Sequence, residues 1–193
     1  MSEIRIGWAE IDITPEKKLS LAGQFAERIS RYVEKPLTAT AMAIEGGKEH
    51  MIMVSCDLVG TSWSLVTGVR ERLTEIGVDF DVNKVILSAI HTHTGPGYGG
   101  TQRSMAAGTS VIKGTRQLLE RYLEAGQKYI EKENVSANDE IATEKEVYDL
   151  LVDRISSVII NAWKNRKAGA FSNAFGRAPV GMCRRAAYSD DTA

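Results

Sequence analysis

Two apolar runs, residues 38–44 (TATAMAI) and 51–58 (MIMVSCDL), flank the segment Gly46-Gly47-Lys48-Glu49. Strand-forming runs joined through a short Gly-containing turn predict a β-hairpin, and few other arrangements of this stretch are open. The second run is apolar at consecutive positions up to Val54 and is closed by Asp57. Such a strand is expected to be buried on both faces.

The other elements follow from periodicity. Residues 3–13 predict a strand that stops at Asp12-Ile13-Thr14-Pro15, because Pro15 lacks an N–H and pushes Thr14 towards an extended conformation. Residues 16–36 contain Gly23 and Pro36 and predict a loop crossing a surface. Residues 62–76 have helical spacing, with Val66, Val69, Leu73 and Ile76 on one face and Arg70, Glu71, Arg72 and Glu75 on the other. Ser62 or Ser64 is placed to cap that helix, and Gly77 to stop it. Residues 83–90 (NKVILSAI) predict a further strand, 115–133 and 143–167 two helices, and 170–180 an irregular strand. The second helix carries Val147, Leu150, Leu151, Ile155, Val158, Ile159 and Trp163 at core-packing spacing. This order predicts an α/β chain: a mixed β-sheet flanked by helices. No linker divides the 193 residues.

Composition narrows the function classes. Lys plus Arg (24) balance Asp plus Glu (25) for a net charge of -1, which argues against a nucleic-acid partner bound through bulk charge. No apolar run reaches the ~20 residues of a membrane helix. The start has no basic segment followed by an apolar stretch, so a cytoplasmic location is expected, with secretion open if the N-terminus is not native. Cys56 and Cys183 are too few for a disulfide scaffold. Three histidines, His50, His91 and His93, argue against a metal site made of several histidines of this chain. His50 lies at a turn, where an exposed surface position is expected.

The segment that carries chemistry is His91-Thr92-His93-Thr94-Gly95-Pro96-Gly97, at the end of the 83–90 strand. Side chains alternate along an extended backbone, so His91 and His93 are expected on one side. Two imidazoles on one face can share a metal such as zinc, or one can bind it while the other handles protons. They can equally be strand-end histidines satisfied by backbone carbonyls. The ends of buried strands in α/β proteins are favoured ligand sites, and Gly95 and Gly97 allow backbone to approach a substrate closely. Asp57 ends the neighbouring strand, where it can orient an imidazole or cap the following helix. An anion site on backbone N–H groups of the 95–100 turn is a further reading, but the P-loop pattern is missing.

Several segments together resemble the neutral/alkaline ceramidase family. Gly7-Trp8-Ala9-Glu10-Ile11-Asp12-Ile13-Thr14-Pro15 resembles its G-x-(A/G)-x-x-D-I-T-P start, and Leu21-Ala22-Gly23 its L-x-G segment. Val54-Ser55-Cys56-Asp57-Leu58 resembles its V-S-x-D-L strand end. Residues 87–97 (LSAIHTHTGPG) are close to its L-S-A-T-H-T-H-S-G-P-G signature, and Gly181-Met182-Cys183-Arg184-Arg185 resembles a G-x-N-R-(R/S) segment. Residues around 99–140 do not match and are expected to be an insertion.

The resemblance implies a zinc-dependent amidase that hydrolyses the amide bond of ceramide or a related N-acyl compound. It implies His91 as zinc ligand and His93 as an active-site group near substrate or the attacking water. It implies Arg184 as a substrate contact. Cys183 replaces the family's Asn, so Arg185 is an alternative, and Arg177 lies off the motif. The family's other ligands, a second His, a Glu and a Tyr, lie downstream of the arginine segment. Tyr188, Asp190 and Asp191 do not occupy a matching motif. The chain is therefore expected to be the leading portion of a larger catalytic domain, with the remaining zinc ligands outside it. The alternative is a non-catalytic fragment or binding module that keeps the fold without a complete metal site.

Overall fold

The computed structural model describes residues 3–23, 28–98, 140–178 and 180. The helix expected over 115–133 and nearly all of the segment 99–140 lie outside the described residues, as do Arg184 and Arg185.

The hairpin forms as the sequence predicts. Strand β2 (Thr38–Gly46) pairs antiparallel with β3 (Glu49–Cys56), and the ladder closes on Gly46 opposite Glu49. Gly47 in the two-residue turn takes φ 63°, which a side chain would resist. Strand β1 (Ile4–Asp12) pairs with β2 in register from Ile4 opposite Gly46 to Asp12 opposite Thr38. Helix α1 (Trp63–Ile76) carries the chain from β3 to β4 (Val85–Ala89), which lies parallel to β3. Helix α2 (Glu144–Lys164) leads to β5 (Lys167–Gly169), antiparallel to β1. The sheet order is β4-β3-β2-β1-β5. A mixed sheet with helices is the expected α/β class.

The helix ends obey local chemistry. Ser62 caps α1 by accepting from the Leu65 N–H (3.2 Å), and Gly77 ends it in the left-handed conformation. Thr143 and Glu146 form a reciprocal capping box at the start of α2. The core lies between the sheet and these two helices. Ala39, Ala41, Ala43, Ile52, Val54 and Val85 from the sheet meet Leu65, Val69 and Leu73 of α1 and Leu151, Ile155 and Ile159 of α2, all buried. Each of the larger aliphatics contributes about 1.5–3 kcal/mol on burial. Small residues let the layers close: a Cβ on Gly7 of β1 would lie 2.1 Å from the Ala162 carbonyl oxygen of α2.

Three expectations change. Strand β3 is not buried on both faces. Ile52, Val54 and Cys56 are buried, but Ser55 is exposed and Met51 and Met53 are half-buried, because the described helices pack on one face only. The last strand occupies 167–169, and residues 170–178 have no regular structure. Gly169 already pairs with Ile4 at the beginning of β1, so an antiparallel strand running further has no ladder left to join. The buried face of α1 is centred on Leu65, Val69 and Leu73, which leaves Ile76 exposed. The loop after β1 crosses the surface as expected, anchored where Leu19 and Ala22 are buried and Leu21 bridges to Pro96.

Candidate metal-ligand site at the end of the sheet

Strands β3 and β4 run parallel, so their C-terminal ends emerge together. The pairing continues past the sheet. Ile90 N–H donates to the Cys56 carbonyl (3.1 Å), and the N–H groups of His91 and Thr92 both donate to the Leu58 carbonyl (3.1 and 3.2 Å). His91 takes φ 67°, the one positive φ of a non-glycine among the described residues. That conformation costs about 1–2 kcal/mol, and the three hydrogen bonds around it offset the cost.

The kink brings the two imidazoles together. Their ring centroids are 4.9 Å apart at 77°, and His93 Nε2 lies 3.3 Å from His91 Nε2. The expectation that they share a side holds, for a different reason from strand alternation. Strand β4 ends at Ala89, and a left-handed residue turns the chain back on itself.

His91 Nδ1 lies 2.7 Å from the Val59 carbonyl oxygen. A carbonyl only accepts, so Nδ1 carries the proton and Nε2 presents a lone pair. This is the arrangement in which a metal-binding histidine is held by its other ring nitrogen. Two nitrogens on one tetrahedral zinc at about 2.0–2.1 Å stand about 3.3–3.4 Å apart, which the Nε2 pair matches. The pair thus fits two corners of a zinc site, or one ligand with a proton-handling neighbour. Among the described residues, no group of three His, Cys, Asp or Glu side chains stands ready to hold a metal.

The neighbours have distinct positions. The Asp57 carboxylate accepts from the Thr38 N–H (2.9 Å) and hydroxyl (3.1 Å), so it ties the end of β3 to the start of β2. The group on His91 Nδ1 is the Val59 carbonyl, two residues further on. Gly95 and Gly97 are buried. The close approach that Gly95 allows is to the Asp57 carbonyl, 2.9 Å from where its Cβ would be, and the Gly97 N–H donates to the Ser20 carbonyl (3.2 Å). Cys56 is buried, which pushes its thiol up to about 12, so it stays protonated. Arg177 is exposed.

His50 sits at the opposite end of the sheet, at the start of β3. It is half-buried against Phe80 and Trp163, and its Nε2 accepts from the Asp81 N–H (3.1 Å). It is a packed, satisfied histidine and not the exposed one expected from its turn.

Three contacts at the site have no signal in the sequence. Arg28 donates to the His93 carbonyl (2.6 Å). Gly23, at φ 83°, lies against the His93 ring. Tyr98 is fully buried and bonds to Gly60 and Ser62, beside Val59. Each joins segments far apart in the chain, which periodicity does not register. The Leu21-Ala22-Gly23 segment is a noted motif, but nothing in it points to His93.

No protein-family model and no curated protein matches the chain. Its fold is similar to solved structures. Neutral ceramidase from Pseudomonas aeruginosa superposes with a TM-score of 0.61 at 21% identity, over 88% of this chain and 23% of that one. A ceramidase complexed with C2 gives 0.60 at 20% identity, over 88% and 22%. The chain spans less than a quarter of the length of either. Among the described residues no helix is long and apolar enough to cross a membrane.

Proposed function

We propose that this chain is the leading portion of a zinc-dependent amidase acting on ceramide or a related N-acyl compound. The observation that carries the reading is the imidazole pair. His91 is held through Nδ1 on the Val59 carbonyl, with its Nε2 3.3 Å from that of His93, at the C-terminal end of a parallel strand pair. The fold likeness to ceramidases supports it.

In this reading His91 Nε2 is a zinc ligand, and the remaining ligands come from residues outside those described. Bound zinc supplies a Lewis acid and lowers the pKa of its water towards ~7. The chain's own residues do the rest. Val59 keeps the His91 proton on Nδ1, so Nε2 stays free to coordinate. His93 Nε2 accepts a proton and returns it at the leaving nitrogen. The kink at His91, the Gly23 contact and the Arg28 hydrogen bond hold His93 beside its partner. Arg184, or Arg185 beside it, contacts substrate and the developing oxyanion. Gly95 and Gly97 shape the turn that carries both histidines.

The test is zinc content and amide hydrolysis of the full-length gene product, with ceramide and shorter N-acyl amines as substrates. Stoichiometric zinc and hydrolysis support the reading. A zinc-free protein that leaves every amide intact sinks it and leaves the non-catalytic binding module.

A further inference from the structure

Tyr98 is wholly buried although it follows an exposed turn: His91, His93 and Thr94 are exposed, and burial begins at Gly95. Its hydroxyl donates to the Gly60 carbonyl (2.7 Å) and accepts from the Ser62 N–H (3.1 Å). Both partners lie in residues 59–62, a stretch without regular structure between β3 and α1. One phenol thus satisfies an N–H and a C=O that no ladder or helix serves. Burial raises the Tyr98 pKa above the ordinary phenol value, so the hydroxyl keeps the proton it donates.

The segment held in this way carries the carbonyl that orients His91. Val59 precedes Gly60, and its oxygen is the acceptor for His91 Nδ1 at 2.7 Å. The His91 side chain is exposed, so packing alone does not fix its ring. Its ring is held at Nδ1 by the Val59 carbonyl and at Nε2 by His93 (3.3 Å), and where the Val59 carbonyl points depends on the anchoring of Gly60. We infer that Tyr98 is a positioning residue for His91: its hydroxyl holds residues 59–62 and, through Val59, keeps the imidazole proton on Nδ1 and the Nε2 lone pair towards His93. The consequence for catalysis rests on the reading of His91 as a ligand; the positioning itself does not.

The test is made on the metal-free full-length gene product, by nitrogen NMR of the histidine rings. The wild type is expected to show His91 in the Nδ1–H form. Tyr98→Phe removes the hydroxyl and keeps the ring, and the loss of a hydrogen bond of ordinary strength should shift the tautomer ratio of His91 by about fivefold towards Nε2–H. His50 is the internal reference, because its Nε2 accepts from Asp81 at the far end of the sheet and should not move. Replacing Tyr98 by p-aminophenylalanine, which keeps a donor, should restore the His91 ratio. An unchanged ratio in Tyr98→Phe, with His50 unchanged, overturns the inference. If Tyr98→Phe disturbs His50 too, His91→Ala decides by reciprocity. It should speed hydrogen exchange of the Tyr98 hydroxyl several-fold, and an unaltered exchange rate also overturns the inference. Failure of the zinc reading appears elsewhere, as absent zinc and hydrolysis in the full-length protein, and leaves these readouts untouched.

Discussion

Gly23 and His93 are in contact across seventy residues of sequence: a Cβ built on Gly23 would lie 2.6 Å from His93 Cγ. Gly23 also takes φ 83°, which an L side chain resists. The loop after β1 therefore forms one wall of the imidazole pair. Gly23→Ala should lower stability by about 1–2 kcal/mol from the backbone alone. It should also displace the His93 ring. Chemical denaturation and the ring resonances of His93 check the two effects separately, and an unmoved His93 ring would contradict the contact.

On the proposed zinc-amidase reading, the two histidines should separate by function in the full-length protein. His91→Ala is expected to abolish stoichiometric zinc and hydrolysis together. His93→Ala is expected to lower kcat by about 10²–10⁴-fold, the usual loss of a general acid–base group. Metal analysis beside steady-state kinetics makes the distinction. Full zinc and full activity in His91→Ala would remove it from the ligand set.

The β1–α2 contact is a tight one. A Cβ on Gly7 would meet the Ala162 carbonyl oxygen at 2.1 Å and the Arg166 nitrogen at 2.7 Å, both backbone atoms. Neither yields by a rotamer change, so Gly7→Ala has to shift the helix from the sheet. A loss of about 1–3 kcal/mol or more is expected. Gly176→Ala, where a Cβ meets nothing within 4 Å, should stay within about 0.5 kcal/mol. Denaturant midpoints of the two variants compare them directly.

Acid should loosen the start of α2 through Glu146. Lys17 and the Thr143 cap hold its carboxyl down to about 2 from 4.5. A depressed folded pKa contributes stability above the unfolded value, and that contribution is lost as pH falls through the folded one. The contribution is therefore complete above about pH 4.5 and fades as pH falls towards about 2. Glu146→Gln should be less stable than wild type at neutral pH, with the gap narrowing through that window. Unfolding curves at several pH values would show it, and a gap independent of pH would contradict the assignment.

Much of the fold was legible because it rests on local chemistry. The Gly46–Glu49 turn with its flanking apolar runs yields β2 and β3, the Ser62 and Gly77 caps bound α1, and the apolar repeat of α2 marks its core face. The His-Thr-His segment at a strand end marks the candidate site for the same reason: residue type and spacing are properties of the chain alone. The misread strand at 170–180 shows the limit. The stretch suits a strand, but Gly169 already pairs with Ile4 at the beginning of β1, so the residues after it find no partner there.

What tertiary structure decided is how the site is held. By itself the sequence determined that two imidazoles follow the strand; it did not determine the left-handed turn at His91, its bond to Val59, or the approach of Gly23, Arg28 and Tyr98. It placed Asp57 near His91 as a candidate orienting group, whereas packing gave that carboxylate to Thr38. The physical reason is the same in each case. A hydrogen bond between residues tens of positions apart depends on which strands pair and in what register, and that is settled only when the whole sheet forms.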